Sequence, residues 1–296
     1  MDTRRLRSFV QIVDCGSISR AATAAGLAQP AMSQHLAALE RDLKVRLVER
    51  SAAGVKVTPA GEALYGRAQV ILRQIDDLRA DVRSPTNRIS GPIAIGLPPS
   101  VAEMLTLPLL EAVCRDHPEL RPQVLEEGSP FLEDLLAKGG VEVAVLARRA
   151  DHAGVEAEKL LSEPLMLVAP AAWDLSDRPI LEEMSRLPWV TTRRTHSVRV
   201  LVEAVFAQAG LEHRVVAEID SLPTVVRCVQ QGLGATVLPA GVARHAGKDG
   251  AVRVLPFCDP PVMRPMFLCW RSAAGQGQRT RYILDQIGRL AADARP

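Results

Sequence analysis

Gln29, Ser33 and Gln34 stand within six residues of one another around Pro30. A glutamine amide can pair bidentately with adenine, and a serine hydroxyl can bond a base edge or a phosphate. Arg50 and Lys56 flank a short Ser51–Gly54 turn and would neutralise phosphates. Arg5, Arg20 and His35 are weaker candidates by position, and a solvated surface side chain is the alternative for each of these residues. A second set lies further along. Ser100 follows Pro98-Pro99, Ser129 stands between Gly128 and Pro130, and Ser197 follows His196 and precedes Arg199. Each serine precedes a helical pattern, so each can offer a hydroxyl beside backbone N–H groups that lack intrahelical partners. That is a cradle for a carboxylate or another small anion. N-capping serines are the alternative. Val101, Leu146 and Thr236, close to the ends of apolar runs, and Pro130 beside Ser129 are candidate walls of the same cleft, to which His196 and Arg199 would add positive charge.

Catalytic constellations are missing. The chain has no G-x-S-x-G elbow, no H-E-x-x-H pair and no Walker loop. Gly232-Leu233-Gly234 lacks a third glycine and follows a helical pattern, so it reads as a helix stop leading into a strand. None of the six histidines has a partner at zinc-ligand spacing. The five cysteines (Cys15, Cys114, Cys228, Cys258, Cys269) form no C-x-x-C pair, which suggests free thiols. Buried inert cysteine is the favoured reading over a Cys258–Cys269 redox switch. No enzyme activity, metal or cofactor is expected.

The elements that would position these groups can be read from periodicity. Leu6, Phe9, Val10 and Val13 mark a first helix, and Gly16-Ser17 breaks it. Ser17 caps a second helix over Ile18–Ala25, and Gly26-Leu27 makes a turn. Pro30 suits the start of a third, whose apolar stripe is Met32, Leu36, Leu39 and Leu43. Gln29, Ser33 and Gln34 fall on the other face at the amino-terminal end, the end of a recognition helix that enters the major groove. Thr58 and Pro59 then open a long helix. Leu64, Ala68, Ile71, Ile75, Leu78 and Val82 recur along it as an a/d seam. The seam favours a dimerising linker, with packing on its own domain as the alternative. Ser84-Pro85 ends the helix and residues 84–91 read as a hinge.

Beyond the hinge, apolar runs at Ile93–Leu97, Val141–Leu146, Met166–Ala169 and Ala235–Leu238 alternate with helical patterns such as Val101–Cys114 and Val198–Ala209. This argues for α/β architecture with largely parallel sheets, whose ligands sit at the carboxyl ends of strands.

At 296 residues the chain can build two or three cores. Its net charge of +2 is uninformative, but the distribution is not. Residues 1–58 hold nine Lys/Arg against five Asp/Glu, whereas the remainder holds 27 against 29. A mildly basic head on a near-neutral body follows. No secretory h-region and no long uninterrupted apolar stretch is present, so a cytoplasmic protein with no membrane partner is expected.

Five segments bring a family into view: Leu6-Arg7-Ser8-Phe9-Val10, Gly16-Ser17-Ile18-Ser19-Arg20-Ala21-Ala22, Gln29-Pro30-Ala31-Met32-Ser33, Leu39-Glu40 and Thr58-Pro59-Ala60-Gly61. In that order and without gaps, they resemble the LysR-type transcriptional regulators. Leu107-Pro108, His117-Pro118, Glu127-Gly128, Gly232-Leu233-Gly234 and Leu238-Pro239 extend the likeness over essentially the whole chain. Ala28 stands where the family usually has serine, which removes a side-chain cap from the third helix. The resemblance implies a winged helix-turn-helix at 1–58, a linker helix and hinge at 59–90, and an effector-binding domain at 91–296. That domain would resemble a periplasmic binding protein, with one subdomain at about 91–162 plus 269–296 and another at about 163–268. The implied partners are double-stranded DNA at a pseudo-palindromic operator, a small effector, a second copy in a dimer or tetramer, and RNA polymerase; the chain's own serine loops, with His196 and Arg199, would suit an anionic effector. The competing readings are a solute carrier of the same body fold without DNA function, and an α/β enzyme.

Overall fold

The computed structural model describes residues 2–51, 54–83, 89–272, 274 and 277–293. Two compact units divide the chain: the first holds the chain up to Gly91 together with Lys138–Gly140, the second the remainder.

The first unit opens with α1 (Thr3–Cys15), α2 (Ile18–Ala25) and α3 (Gln29–Leu43). Local chemistry sets their ends. The Asp2 carboxylate accepts the Arg4 N–H at 3.0 Å and the Ser17 hydroxyl accepts the Arg20 N–H at 3.4 Å, each satisfying a donor that has no intrahelical partner. Ala28 makes no such bond, so α3 starts uncapped with Pro30 in its first turn. Leu6, Phe9, Ile12, Ala21, Ala22, Met32, Leu36 and Leu39 form the core of the bundle. Leu43 departs from the expected stripe: it is the last residue of α3, one turn past Leu39, and remains 37% exposed.

A two-stranded antiparallel wing follows, β1 (Val48–Ser51) paired with β2 (Gly54–Val57). It is fixed at both ends. The Glu40 carboxylate on α3 accepts the N–H groups of Leu47 (2.8 Å) and Val48 (3.4 Å). At the tip, Val55 N–H donates to the Gly16 carbonyl at 3.0 Å. Gly54 has φ 123°, and a Cβ there would lie 2.7 Å from that same carbonyl oxygen, so only glycine fits without a shift.

The helix α4 (Pro59–Arg83) begins as expected, with the Thr58 hydroxyl accepting the Gly61 N–H at 3.0 Å. The seam on it divides. Ala68 and Leu72 are buried in the head core, and Leu64, Tyr65 and Ile71 pack against it. Arg7 pairs with Asp76 and the Tyr65 hydroxyl bonds Asp14, tying α4 to α1. Within one chain the first half of the seam packs against its own domain, with Leu64 and Ile71 only partly buried there. Ile75 is half-buried outside that cluster, and the side chains of Leu78 and Val82 lie outside the described residues. So do residues 84–88, most of the expected hinge.

The second unit runs β3 (Gly91–Leu97), α5 (Pro99–Asp116), β4 (Leu120–Glu126), α6 (Ser129–Lys138), β5 (Val143–Leu146), β6 (Val155–Pro170), α7 (Leu181–Ser185), β7 (Pro188–Thr191) and α8 (Ser197–Gln208). It continues with β8 (Arg214–Glu218), α9 (Leu222–Gln230), β9 (Thr236–Pro239), α10 (Ala240–Ala246), β10 (Val252–Pro256), β11 (Met263–Arg271) and α11 (Gln278–Asp293). The alternation of strand and helix is as expected, but the sheets are mixed rather than largely parallel. Parallel pairs join β3 to β5 and β7 to β8. The long strands β6 and β11 instead pair antiparallel with each other, and each pairs antiparallel with its other neighbours. Met166–Ala169 is only the end of β6, which pairs with β11 through Pro164 and with β9 from Leu165 onward. Two cores flank this change of partner. One contains Ala94, Leu132, Leu136, Ala144 and Leu146; the other contains Leu165, Leu167, Trp189, Phe206 and Phe257.

Candidate DNA interface and ligand cavity

On the head, Gln29, Pro30 and Gln34 are exposed and Ser33 is half-exposed, while Met32, Leu36 and Leu39 of the same helix are buried. A helix that buries one face and presents short hydrogen-bonding groups at its uncapped amino end can enter a major groove. Arg20 and Lys56 are exposed. Two weaker candidates are engaged within the head. His35 Nδ1 lies 2.7 Å from the Ser8 hydroxyl, and Arg5 pairs with Asp42 at 2.9 Å. The Arg50 side chain lies outside the described residues; its backbone pairs with Val55 in the wing.

In the second unit, six of the nine candidate ligand residues line one cavity: Ser100, Ser129, His196, Ser197, Arg199 and Thr236. Its volume of about 50 Å³ admits a few waters or a molecule of a few heavy atoms. The other three do not line it. Val101 and Leu146 are core residues, at 4% and 0% exposure, and neither reaches the cavity wall. Pro130 instead lines an adjoining open groove.

The cavity is framed by helix starts. Pro98 to Ser100 begin α5, Ser129 begins α6, His196 to Arg199 begin α8, and Leu222 begins α9. For α5, α8 and α9 the N-cap side chain makes no capping bond to the first-turn backbone, so their first N–H groups are left to other acceptors. Ser100, Ser129 and Ser197 stand at the first or second helical position of α5, α6 and α8. The Ser129 hydroxyl accepts the Ala147 N–H at 3.1 Å, and Ser100 Oγ accepts from Arg264 Nη2 at 2.9 Å.

The charges in the wall are largely matched. Arg199, 5% exposed, pairs with Glu203 (2.6 Å) and Glu218 (3.7 Å). Asp220 bonds Arg193 Nε at 2.6 Å. Burial pushes His196 below the ordinary imidazole range although Asp220 pulls the other way. Burial, followed by the nearby Arg199, does the same to His213, whose ring stacks on Phe206 with centroids 4.7 Å apart. His213 Nε2 is buried without a hydrogen-bond partner. Both rings are thus neutral near pH 7.

Sequence reasoning missed Arg264, Trp189, Thr191, His213 and Asp220 in this wall. Arg264 had a usable signal, a lone charge inside the apolar run Met263–Trp270. A charge in a buried strand must be paired, which directs a search for its partner. No cysteine lines the cavity among the described residues. Burial pushes the thiols of Cys269 and Cys258 above the ordinary range, so neither is poised as a thiolate.

Comparison with known proteins accounts for this pairing of a reading head with a ligand-sized cavity. Residues 3–62 match the model of the bacterial regulatory helix-turn-helix protein, lysR family, and residues 86–292 match the LysR substrate binding domain. The chain belongs to the LysR family. It is 36% identical over 246 residues to the nitrogen assimilation regulatory protein nac of Klebsiella aerogenes, covering 82% of this chain and 80% of that one. It is 31% identical to a probable hydrogen peroxide-inducible genes activator of Mycobacterium leprae, over 96% and 93% of the two chains. Among solved structures, a full-length OxyR variant from Pseudomonas aeruginosa matches with a TM-score of 0.76 and 26% identity, covering 98% and 94%. The LysR-family chain is a DNA-binding transcriptional regulator with an effector-binding domain, and the family consists of regulators rather than enzymes. Among the described residues no helix is long and apolar enough to cross a membrane.

Proposed function

We propose that the cavity in the second unit binds a small anionic effector and that Gln29, Ser33 and Gln34 read the operator, with Arg20 and Lys56 on its phosphates. The observation that carries the effector reading is the convergence of the α5, α6, α8 and α9 amino ends, with their hydroxyls, on one small cavity. Aligned peptide dipoles and unpaired N–H groups favour negative charge there. On this reading the chain divides at about residues 58 and 90, and the body into subdomains of about 91–162 plus 269–296 and about 163–268. Self-association as a dimer or tetramer would use the distal part of α4 from Ile75 onward, since the proximal part packs on the head. A cytoplasmic protein acting with RNA polymerase at a pseudo-palindromic site completes the reading. The cysteine-free cavity favours reversible, non-covalent sensing over thiol oxidation, whatever a peroxide-responsive relative does.

The test pairs two measurements on Ser100→Ala/Ser129→Ala. Reporter output in cells shifted between growth media should lose its response, while gel-shift affinity for the operator persists. A normal response places the effector elsewhere. Loss of both activities means that the bonds to Arg264 and Ala147 serve the fold instead.

A further inference from the structure

Arg264 sits where the body changes direction. It lies on β11 and its register partner is Glu163 on β6, one rung before β6 leaves β11 for β9. Both side chains are buried, Arg264 at 2% exposure and Glu163 at 8%. The guanidinium bonds Glu163 through Nε (3.1 Å) and Nη2, and Nη2 also reaches Ser100 at the start of α5. Arginine carries five N–H donors, so three are engaged and the two on Nη1 have no acceptor among the described residues. The side chain nevertheless lines the cavity. Arg199 faces two carboxylates, whereas Arg264 faces one carboxylate and one neutral hydroxyl.

We infer that Arg264 is the residue that reads the effector's charge, its free Nη1 edge taking one oxyanion, with Glu163 as an internal counter-ion that limits the cavity to a single negative charge. This rests on the reading that the cavity holds the effector. A monoanion on Nη1 leaves the Glu163 pair intact and approaches the Ser100 and Ser129 hydroxyls. A dianion meets the Glu163 carboxylate's repulsion in a poorly hydrated site, where like charges act strongly. A neutral ligand of the same shape forgoes the charge-assisted bond. Because the same guanidinium joins β11, β6 and the α5 start, an oxyanion pulling on it acts on the strand crossing itself. Arg264 thus becomes a specificity-determining residue, and a positioning residue for that crossing.

The charges predict effects of opposite sign, which a purely structural ion pair would not give. The full chain carries three tryptophans; Trp173→Phe with Trp270→Phe leaves Trp189, in the cavity wall, as the sole emitter. Acetate, its neutral isostere acetamide, and sulfate are titrated at constant ionic strength. The parent should bind acetate in preference to acetamide and to sulfate. Glu163→Gln keeps an acceptor for Arg264 but removes the counter-charge. It should raise acetate affinity about tenfold and sulfate affinity more, leaving acetamide unchanged. Arg264→Gln should abolish the preference for acetate. Since that variant strands a buried carboxylate and can fail to fold, Glu163→Gln/Arg264→Gln provides the neutral pair, in which acetate and acetamide should bind alike. Equal binding of acetate and acetamide by the parent, or an unchanged ratio in Glu163→Gln, overturns the inference. If Ser129→Ala abolishes both probes' signals while the ratio ignores residues 163 and 264, the cavity reading stands without a role for Arg264. If neither probe perturbs Trp189 in any variant, the cavity reading falls and the inference with it.

Discussion

Glu40→Ala isolates what binds the reading helix to the wing. Glu40 is on α3, and its carboxylate accepts the Leu47 N–H at 2.8 Å and, more weakly, the Val48 N–H at 3.4 Å. Leu47 and Val48 are 1% and 2% exposed, so water cannot easily replace the lost acceptor. A hydrogen bond to a charged acceptor is worth about 1.5–3 kcal/mol, and a stranded buried donor costs about 1–3 kcal/mol. These are two views of one loss, so the expected destabilisation is about 2 kcal/mol, with little added by the long second bond. Glu40→Gln retains a carbonyl acceptor and should lose under about 1 kcal/mol. All three tryptophans lie beyond residue 172, so their fluorescence would miss the head. Far-UV circular dichroism during urea unfolding of the full chain follows the head helices, whose transition is treated apart from that of the body. Operator affinity should fall for Glu40→Ala, because the wing no longer holds its place beside α3, and recover in Glu40→Gln. If alanine and glutamine variants match the parent in stability and operator affinity, the bridge contributes nothing and the reasoning is wrong.

Other perturbations follow from the same geometry. Gln29→Ala should weaken specific operator binding by about 1–3 kcal/mol at fixed salt with an unchanged melting temperature, checked by gel shift and calorimetry. Gly61→Ala should destabilise the head by about 1–3 kcal/mol through overpacking, because its Cβ would sit 2.1 Å from the Leu47 carbonyl oxygen; unaltered urea unfolding would contradict the packing. Ile75→Asp should shift light scattering toward smaller assemblies while leaving the head folded, and an unchanged mass would remove Ile75 from the proposed interface. His213 has a folded pKa below its unfolded value of 6.5, so its contribution is complete above that value and is lost as pH falls below it toward the folded pKa. His213→Phe should therefore flatten the acid-side decline in the body's melting temperature, measured between about pH 7.5 and about pH 5.5, relative to the parent.

The head was legible because its signals are local. Ser17 and Thr58 cap the helices that follow them, Ala28 leaves its helix uncapped, and Met32, Leu36 and Leu39 are buried as their spacing requires. Where the sequence was less informative, the deciding partner was distant along the chain. Ile71 has the spacing of an intermolecular seam, yet it packs on the head core, to which α1 contributes from the far end of the unit's sequence. Periodicity reports that a face is buried, not by which helix. The sheets misled for a related reason: short apolar runs separated by helices suit parallel strands, but β6 and β11 are long, antiparallel and far apart in the chain.

The ligand loops lie between these cases. Ser100, Ser129 and Ser197 stood out because a serine at a strand-to-helix junction has a restricted set of uses, and the structure brings all three to one cavity. Their sequence context could not reveal what the hydroxyls already hold. Nor could it show that Arg199, within reach of two carboxylates, presents a matched charge to the cavity. The residue with the less complete match, Arg264, is paired across 101 positions of sequence. The polarity of the cavity is therefore a property of strand register: shifting β11 by one residue against β6 would turn the Arg264 side chain to the opposite face of the sheet. If Arg264 reads the effector as inferred, recognition depends on the accuracy of the same strand crossing that joins the two cores of this body.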